Sequence, residues 1–98
     1  MKYQVYLSER AEKNLYKIFI YLQNNWSEKV KNNFKNKLLQ KIEIIKNNPY
    51  SFPSSNIKKE IRRCVITKHN TMYYRIKNFD IEIITIQDTR QNPENFNL

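Results

Sequence analysis

Residues 60–87 read EIRRCVITKHNTMYYRIKNFDIEIITIQ and contain most of the β-strand signal of the chain. It holds three runs rich in β-branched and aromatic residues, at 60–67, 71–77 and 80–87. The links between the runs, 68–70 and 78–79, are only three and two residues long. Links this short join neighbouring strands that run in opposite directions. The stretch therefore predicts two consecutive antiparallel hairpins.

The residues before this stretch predict one more strand and two helices. Residues 3–8 alternate between apolar and polar side chains, which is typical of a half-buried strand. Ser8 and Ser27 are predicted N-caps, and each is followed by a glutamate, which is favourable in a first helical turn. Asn24-Asn25 and Asn48-Pro49 end the two helices. Apolar residues recur at helical spacing in both, at Ala11, Leu15, Ile18 and Leu22, then at Val30, Phe34, Leu38, Ile42 and Ile45.

These elements give the order β-α-α-β-β-β in a single domain covering residues 1–98. The link between the helices is short, so they are expected to pack as an antiparallel hairpin. Residues 49–56, PYSFPSSN, have the composition of a loop. The predicted fold class is α+β, with the helical hairpin packed on one face of a curved antiparallel sheet.

The charge restricts the kind of partner. The chain has 18 Lys and Arg against nine Asp and Glu, giving a net charge of +9 and a pI near 9.7. Such an excess favours an acidic protein or a nucleic acid. The opening residues MKYQVYLSER lack the apolar region of a signal peptide, and no apolar run approaches the ~20 residues of a membrane span. We expect a cytoplasmic protein that does not enter a membrane.

Missing residue types exclude several enzyme classes. The chain has no glycine, which P-loops, dinucleotide-binding fingerprints and nucleophile elbows require, so its turns must rely on Asn and Asp. The single cysteine, Cys64, cannot form an internal disulfide, and its apolar strand predicts burial. His69, the only histidine, lies on a predicted turn without Cys or His at metal-ligand spacing. We expect a solvated histidine and no metal site.

Six segments in this order resemble the RelE/ParE family of type II toxins: YQVYLSERAEKNL, YLQNNWSEKV, NNPYSFP, IRRCVI, MYYRI and DTRQNP. The resemblance covers nearly the whole chain. It implies a growth-inhibiting toxin that needs no cofactor and is neutralised by a cognate antitoxin in a toxin–antitoxin hetero-oligomer.

The family divides by target, and the resemblance favours one branch. RelE-like members cut messenger RNA on the ribosome, whereas ParE-like (plasmid stabilisation) members inhibit DNA gyrase by binding. The long helices and the YLQNNW linkage resemble the ParE-like branch. The leading hypothesis is therefore a DNA gyrase inhibitor that is not an enzyme. The alternatives are a ribosome-dependent mRNA endoribonuclease, acting on ribosome and mRNA, and an inactive member that only binds antitoxin.

The positions at which RelE-like toxins carry their catalytic cluster bear on this choice. They fall near Arg62, Cys64, Thr71, Arg90 and Phe96. Cleavage needs a group that activates the ribose hydroxyl, cations, and an acid for the leaving oxygen. Only Arg62 and Arg90 suit these roles, because Cys64 and Thr71 replace basic residues and Phe96 lacks the hydroxyl of the family's tyrosine. If the chain is a ribonuclease, Arg62 and Arg90 are the expected catalytic residues.

Arginines are the expected contacts to the target, because their planar fork binds carboxylate or phosphate with two hydrogen bonds. Arg62 and Arg63 are neighbours on one strand, so they point to opposite faces and one should lie on the open side of the sheet. By the same rule one of Tyr73 and Tyr74 enters the core. The predicted target-binding residues are Arg62, Arg63, Arg75 and Arg90.

The first helix carries more apolar residues than one core-facing stripe needs. Surplus apolar surface often marks a partner site, so Tyr16, Phe19 and Ile20 are predicted to bind the antitoxin, the alternative being a wider core stripe. The charge of +9 predicts an acidic or amphipathic antitoxin segment. The remaining helix lysines form a solvated face or a DNA-facing one, at Lys29, Lys31, Lys35, Lys37, Lys41 and Lys46.

Overall fold

The computed structural model describes residues 3–88 and has the predicted order of elements. Strand β1 is followed by two helices, a short 3₁₀ turn at Pro49–Ser51 and three further strands. The bounds are β1 Gln4–Leu7, α1 Glu9–Asn25, α2 Glu28–Asn47, β2 Arg62–Thr67, β3 Asn70–Lys77 and β4 Asp80–Asp88. None of the helices among these residues combines the length and apolar character needed to cross a membrane.

The sheet differs from the prediction in one pairing. Its strand order is β1-β4-β3-β2, and the β2–β3 and β3–β4 pairs are antiparallel as expected. Strand β1 instead runs parallel to β4, with Gln4 opposite Asp80 and Leu7 opposite Ile83. The sheet is therefore mixed rather than wholly antiparallel. Short links force antiparallel pairing only between the strands that they join. Most of the chain separates β1 from β4, so the rule does not apply to this pair.

Both helices pack on one face of this sheet and form the core with it. The buried residues of α1 and α2 fall on the predicted stripes. Tyr74 is fully buried, and its hydroxyl donates a hydrogen bond to the Pro49 carbonyl oxygen at 2.6 Å. The core cluster comprises Ala11, Ile18, Leu22, Phe34, Leu38, Ile45, Cys64, Ile66, Met72, Tyr74, Ile81, Ile83 and Ile86.

The tight β3–β4 turn is made without glycine. Asn78 has φ of 59°, in the left-handed region that most residues avoid. Asparagine tolerates this region better than most residues, so a two-residue link at 78–79 remains possible in a chain that has no glycine. The prediction that turns rely on Asn is confirmed here.

The two predicted N-caps are both present but differ in what they hold. Ser8 Oγ accepts a hydrogen bond from the Ala11 N–H at 3.0 Å and donates one to the Ile84 carbonyl oxygen at 2.8 Å, which ties α1 to β4. Ser27 Oγ accepts a hydrogen bond from the Val30 N–H at 3.1 Å.

Removing the two caps should therefore cost different amounts. We expect Ser27→Ala to lower the free energy of unfolding by about 1 kcal/mol, the usual loss for a cap. Ser8→Ala should cost about 2 kcal/mol, because the Ile84 carbonyl also loses its donor. Urea unfolding of both variants measures the difference. Equal losses would contradict a separate contribution from the bond to Ile84.

Candidate functional site

The helices leave the other face of the sheet exposed, and this open face carries two of the predicted arginines. Cross-strand pairing places Arg63 opposite Tyr73, Val65 opposite Thr71, and Glu82 between Arg75 and Tyr6. Paired residues share a face of a sheet, as do alternate residues along one strand. The open face is thus formed by Tyr6, Arg63, Val65, Thr71, Tyr73, Arg75 and Glu82.

Arg62 and Arg63 point to opposite faces, as predicted, and the structure shows which is which. Arg62 Nη1 donates to the carbonyl oxygens of Tyr50 at 3.2 Å and Phe52 at 2.5 Å. Its guanidinium carbon also lies 5.0 Å from the centre of the Tyr50 ring. Arg62 therefore braces the loop that begins at Pro49. Arg63 is exposed on the open face, whereas Arg62 is partly buried against this loop.

Arg75 lies on the open face beside a shallow cleft of about 330 Å³. Its Nε is 2.8 Å from Glu82 Oε1, and its side chain is 55% exposed. Arg10 and Lys58 also line this cleft, with Glu60 as the second acid. The rim therefore keeps an excess of positive charge even with the Arg75–Glu82 pair formed.

The two tyrosines of β3 divide as predicted. Tyr74 enters the core, where its ring contacts Phe52 edge-on at 6.4 Å and burial raises its pKa well above the ordinary value. Tyr73 lies half-buried on the open face, opposite Arg63. An aromatic ring and an exposed arginine thus stand side by side there, a combination enriched where proteins bind partners.

Three of the five positions expected for a ribonuclease cluster lie among residues 3–88, and these three do not share one face of the sheet. Arg62 and Cys64 lie on the helix-covered face, whereas Thr71 lies on the open face. Burial raises the pKa of the Cys64 thiol to about 11, against an opposing effect of Lys41. Cys64 is therefore a protonated residue of the core, and its predicted burial is confirmed. Arg90 and Phe96 lie outside the described residues.

Cys64 gives the fold a pH dependence of known sign. The folded protein holds the thiol proton up to pH about 11, whereas the ordinary thiol loses it near 9.0. Between these values the folded state binds more protons than the unfolded state, so the free energy of unfolding falls as pH rises. We expect Cys64→Ala to flatten this fall in urea unfolding between pH 8.5 and 10.5. An unchanged slope would contradict the burial of the thiol.

The three α1 residues predicted for antitoxin binding do not share one surface. Tyr16 and Ile20 are 67% and 42% exposed and border a shallow depression of about 310 Å³. Phe19 instead packs against the core and meets Phe34 edge-on, with 5.9 Å between ring centres. Consecutive helix residues are rotated by about 100°, which turns Phe19 toward α2. The exposed apolar patch on α1 is thus Tyr16 and Ile20, and grouping Phe19 with them was wrong.

His69 is half-buried rather than solvated, which corrects the sequence prediction. It lies in the β2–β3 turn and borders a cleft of about 430 Å³ between this turn and α2. Nearby, Asn70 Nδ2 donates to Asp88 Oδ2 at 2.7 Å in a buried pair. Sequence patterns did not single out this cleft, because its lining comes from α1, α2 and the turn.

Among residues 3–88, no three His, Cys, Asp or Glu side chains are grouped so as to hold a metal ion.

Comparison with known families settles the family. The model of the ParE toxin of the type II toxin-antitoxin system parDE matches residues 5–93. The chain belongs to the ParE toxin family. It is therefore the toxin component of a type II toxin–antitoxin system, with a cognate antitoxin as its partner. No curated protein sequence matches this ParE-family chain significantly.

Solved structures of related toxins share the fold. The chromosomal ParDE system from P. aeruginosa superposes with a TM-score of 0.74 at 11% identity, over 89% of this chain and 96% of that chain. The E. coli DinJ-YafQ toxin-antitoxin complex gives 0.64 at 12% identity, over 94% and 98%. A mutant of the E. coli toxin RelE in the free state gives 0.63 at 13% identity, over 95% and 90%. At such identities the likeness concerns the fold alone.

Proposed function

We propose that this ParE-family toxin acts in the cytoplasm by binding and inhibiting DNA gyrase, without cleaving RNA. The main support is that the three described members of the expected cluster are separated over two faces of the sheet. Arg62 and Cys64 point to the helix-covered face, and Thr71 lies on the open face. Acid–base catalysis requires its groups within hydrogen-bond reach of the same reacting atoms. Groups on opposite faces of one sheet do not meet this requirement.

The hydrogen bonding and charge of Arg62, Cys64 and Thr71 also favour a toxin that binds its target over one that cleaves RNA. Arg62 already donates to two carbonyl oxygens of the loop it braces. Cys64 is fully buried and stays protonated at neutral pH, and Thr71 carries no positive charge to stabilise a developing phosphorane. These observations support a toxin that acts through its surface.

The open face is the surface that we propose for the target. Arg63 is exposed beside Tyr73, and Arg75 is exposed next to the cleft shared with Arg10 and Lys58. Arginine and tyrosine carry a large share of binding energy at protein interfaces. An arginine can also accept a carboxylate of the target with two hydrogen bonds. Tyr16 and Ile20 on α1 remain proposed antitoxin contacts.

Induction of the chain alone in a bacterium tests the proposal. The DNA-damage response and the integrity of transcripts would be followed minute by minute after induction. The proposal predicts that the damage response rises while messenger RNA stays intact. Cleavage of ribosome-bound transcripts before any damage response would contradict it. Growth that continues unchanged would favour an inactive member that only binds antitoxin.

A ribosome-dependent endoribonuclease is the second candidate. The observation that favours it is the shared fold of the RelE and YafQ toxins. This candidate predicts that Arg62→Ala or Arg90→Ala abolishes cleavage of ribosome-bound messenger RNA while antitoxin binding survives. If the native toxin stops growth and no transcript is cut, this candidate is excluded.

A further inference from the structure

One side of α2 carries a row of hydrogen-bond donors next to strand β2. Residues four apart on a helix are neighbours on the same side of it. Lys29, Asn33, Lys37 and Lys41 form such a row, which is about 18 Å long at the usual rise of a helix. Lys68, in the β2–β3 turn, borders the same cleft of about 430 Å³ as Asn33 and Lys37. These five residues are called the basic ridge.

Packing of α2 on the sheet holds the ridge in place. Phe34, the neighbour of Asn33, is only 3% exposed and fixes this side of the helix to the core. Burial raises the pKa of Cys64 on β2, and the positive charge of Lys41 opposes that rise, which places Lys41 beside the strand. Lys29, Lys37 and Lys68 are exposed. The ridge is therefore a fixed line of cations that solvent reaches.

No exposed carboxylate balances the ridge within the part of the chain that the structure describes. The ion pairs described there lie within α1 and on the open face, and no Asp or Glu lines the cleft. Successive helix residues are turned by about 100°, so Glu28 and Glu43, the acids of α2, fall outside the row. Asp88 is buried and accepts a hydrogen bond from Asn70. A polyanion thus meets cations that no acid of residues 3–88 neutralises.

The surroundings of the ridge favour duplex DNA as that polyanion. Leu22 and Phe34 lie beneath the cleft and are 0% and 3% exposed, so an apolar anchor of a protein partner cannot enter. Phe34 is the one Phe, Tyr or Trp among the described residues that line the cleft, which leaves no ring to stack the bases of a single strand. Duplex DNA needs neither contact, because lysines gain affinity by releasing the counterions of its closely spaced phosphates.

We infer that the basic ridge binds the phosphate backbone of duplex DNA. Lys29, Lys37 and Lys41 pair with phosphates along α2, and Lys68 pairs with a phosphate from the β2–β3 turn. The Asn33 amide donates to a backbone oxygen. Phosphate contacts carry no sequence information directly, so binding is independent of base sequence. The ridge lies on the helix side of the sheet, whereas the surface proposed for gyrase is the open face. Binding at the ridge therefore goes beyond the proposed function and does not depend on it.

The salt dependence of DNA binding tests this site. The purified full-length toxin is titrated into a fluorescently labelled duplex of arbitrary sequence, and anisotropy gives the Kd at several salt concentrations. The ridge variant is Lys37→Gln/Lys68→Gln. The matched control is Lys35→Gln/Lys77→Gln, two exposed lysines that neither line the cleft nor belong to the row. Each substitution removes one positive charge, so both double variants go from +9 to +7.

Four lysine–phosphate contacts predict that log affinity falls against log salt with a slope of about −3.6, from about −0.9 for each contact. We expect the ridge variant to flatten this slope by about 1.8 and to raise the Kd at about 50 mM salt by at least tenfold. The control should keep the native slope and a Kd within about threefold, because charges that do not touch the DNA act only through the screened field. Equal changes in both variants would show that net charge alone matters, and would overturn the inference.

Two other results would also overturn it. One is a native toxin that leaves the duplex unbound at about 50 mM salt, where phosphate contacts are strongest. The other is tighter binding of the matching single strand than of the duplex. Lys37→Arg/Lys68→Arg keeps both charges and should restore the slope. Thermal unfolding of all variants should match the native chain, because only exposed side chains change. The assay contains no gyrase, so a failure to bind DNA leaves the proposed inhibition of gyrase standing.

Discussion

Replacing Tyr74 by Ala is expected to lower the free energy of unfolding by about 3–5 kcal/mol, the range for removing a large aromatic from a core. Tyr74 is fully buried and touches Phe52 edge-on, and its hydroxyl bonds to the Pro49 carbonyl. The substitution therefore empties a core position and releases the loop that Arg62 also braces. Because small domains have only ~5–15 kcal/mol of stability in total, much of this variant should be unfolded at 37 °C.

Tyr74→Phe is the matched control, since it keeps the ring and removes only the hydroxyl. The buried carbonyl of Pro49 then loses its donor, which should cost about 1–3 kcal/mol. Denaturant unfolding followed by far-UV circular dichroism measures both losses. A Tyr74→Phe variant as unstable as Tyr74→Ala would mean that the hydroxyl, rather than the packing of the ring, carries the stability.

The second large effect concerns the target. We expect Arg63→Ala to raise the toxin concentration needed for half-inhibition of gyrase by about 30-fold. This is the loss of affinity typical of removing a hot-spot arginine from a protein interface. Arg63 is exposed on the open face next to Tyr73, where the proposed target would contact it. Arg63→Lys should recover part of the loss, because it keeps the charge but not the planar fork.

Arg62→Ala is the control. The Arg62 side chain donates hydrogen bonds to the Tyr50 and Phe52 carbonyl oxygens and does not lie on the open face. This variant should lower stability yet inhibit gyrase like the native toxin when compared at equal folded concentration. Supercoiling assays at 20 °C with folded fractions set by circular dichroism make that comparison. A larger loss for Arg62→Ala than for Arg63→Ala would reverse the assigned roles of the two arginines.

Local signals in the sequence predicted most of the fold. Ser8 and Ser27 cap the helices because a hydroxyl three residues before a free N–H satisfies it wherever the helix packs. The short links at 68–70 and 78–79 fixed two antiparallel pairings, because so few residues can only reverse the chain. Such features depend on neighbours in the chain, so they can be read from one sequence.

Features that depend on contacts between residues far apart in the chain could not be predicted from the sequence. The parallel pairing of β1 with β4 joins residues about 76 apart in the chain, as Gln4 and Asp80 illustrate. Alternation showed that Arg62 and Arg63 diverge, but the choice between them depends on the Tyr50 and Phe52 carbonyls that Arg62 reaches. Phe19 was grouped with the surface because the partner ring of Phe34 lies on the other helix.

The proposed mode of action is tested most directly by titrating the purified native toxin into a supercoiling reaction of purified DNA gyrase on relaxed plasmid. We expect supercoiling to stop as toxin is added and to resume when the cognate antitoxin is supplied. Full supercoiling activity in a large excess of a toxin preparation that arrests growth would contradict it.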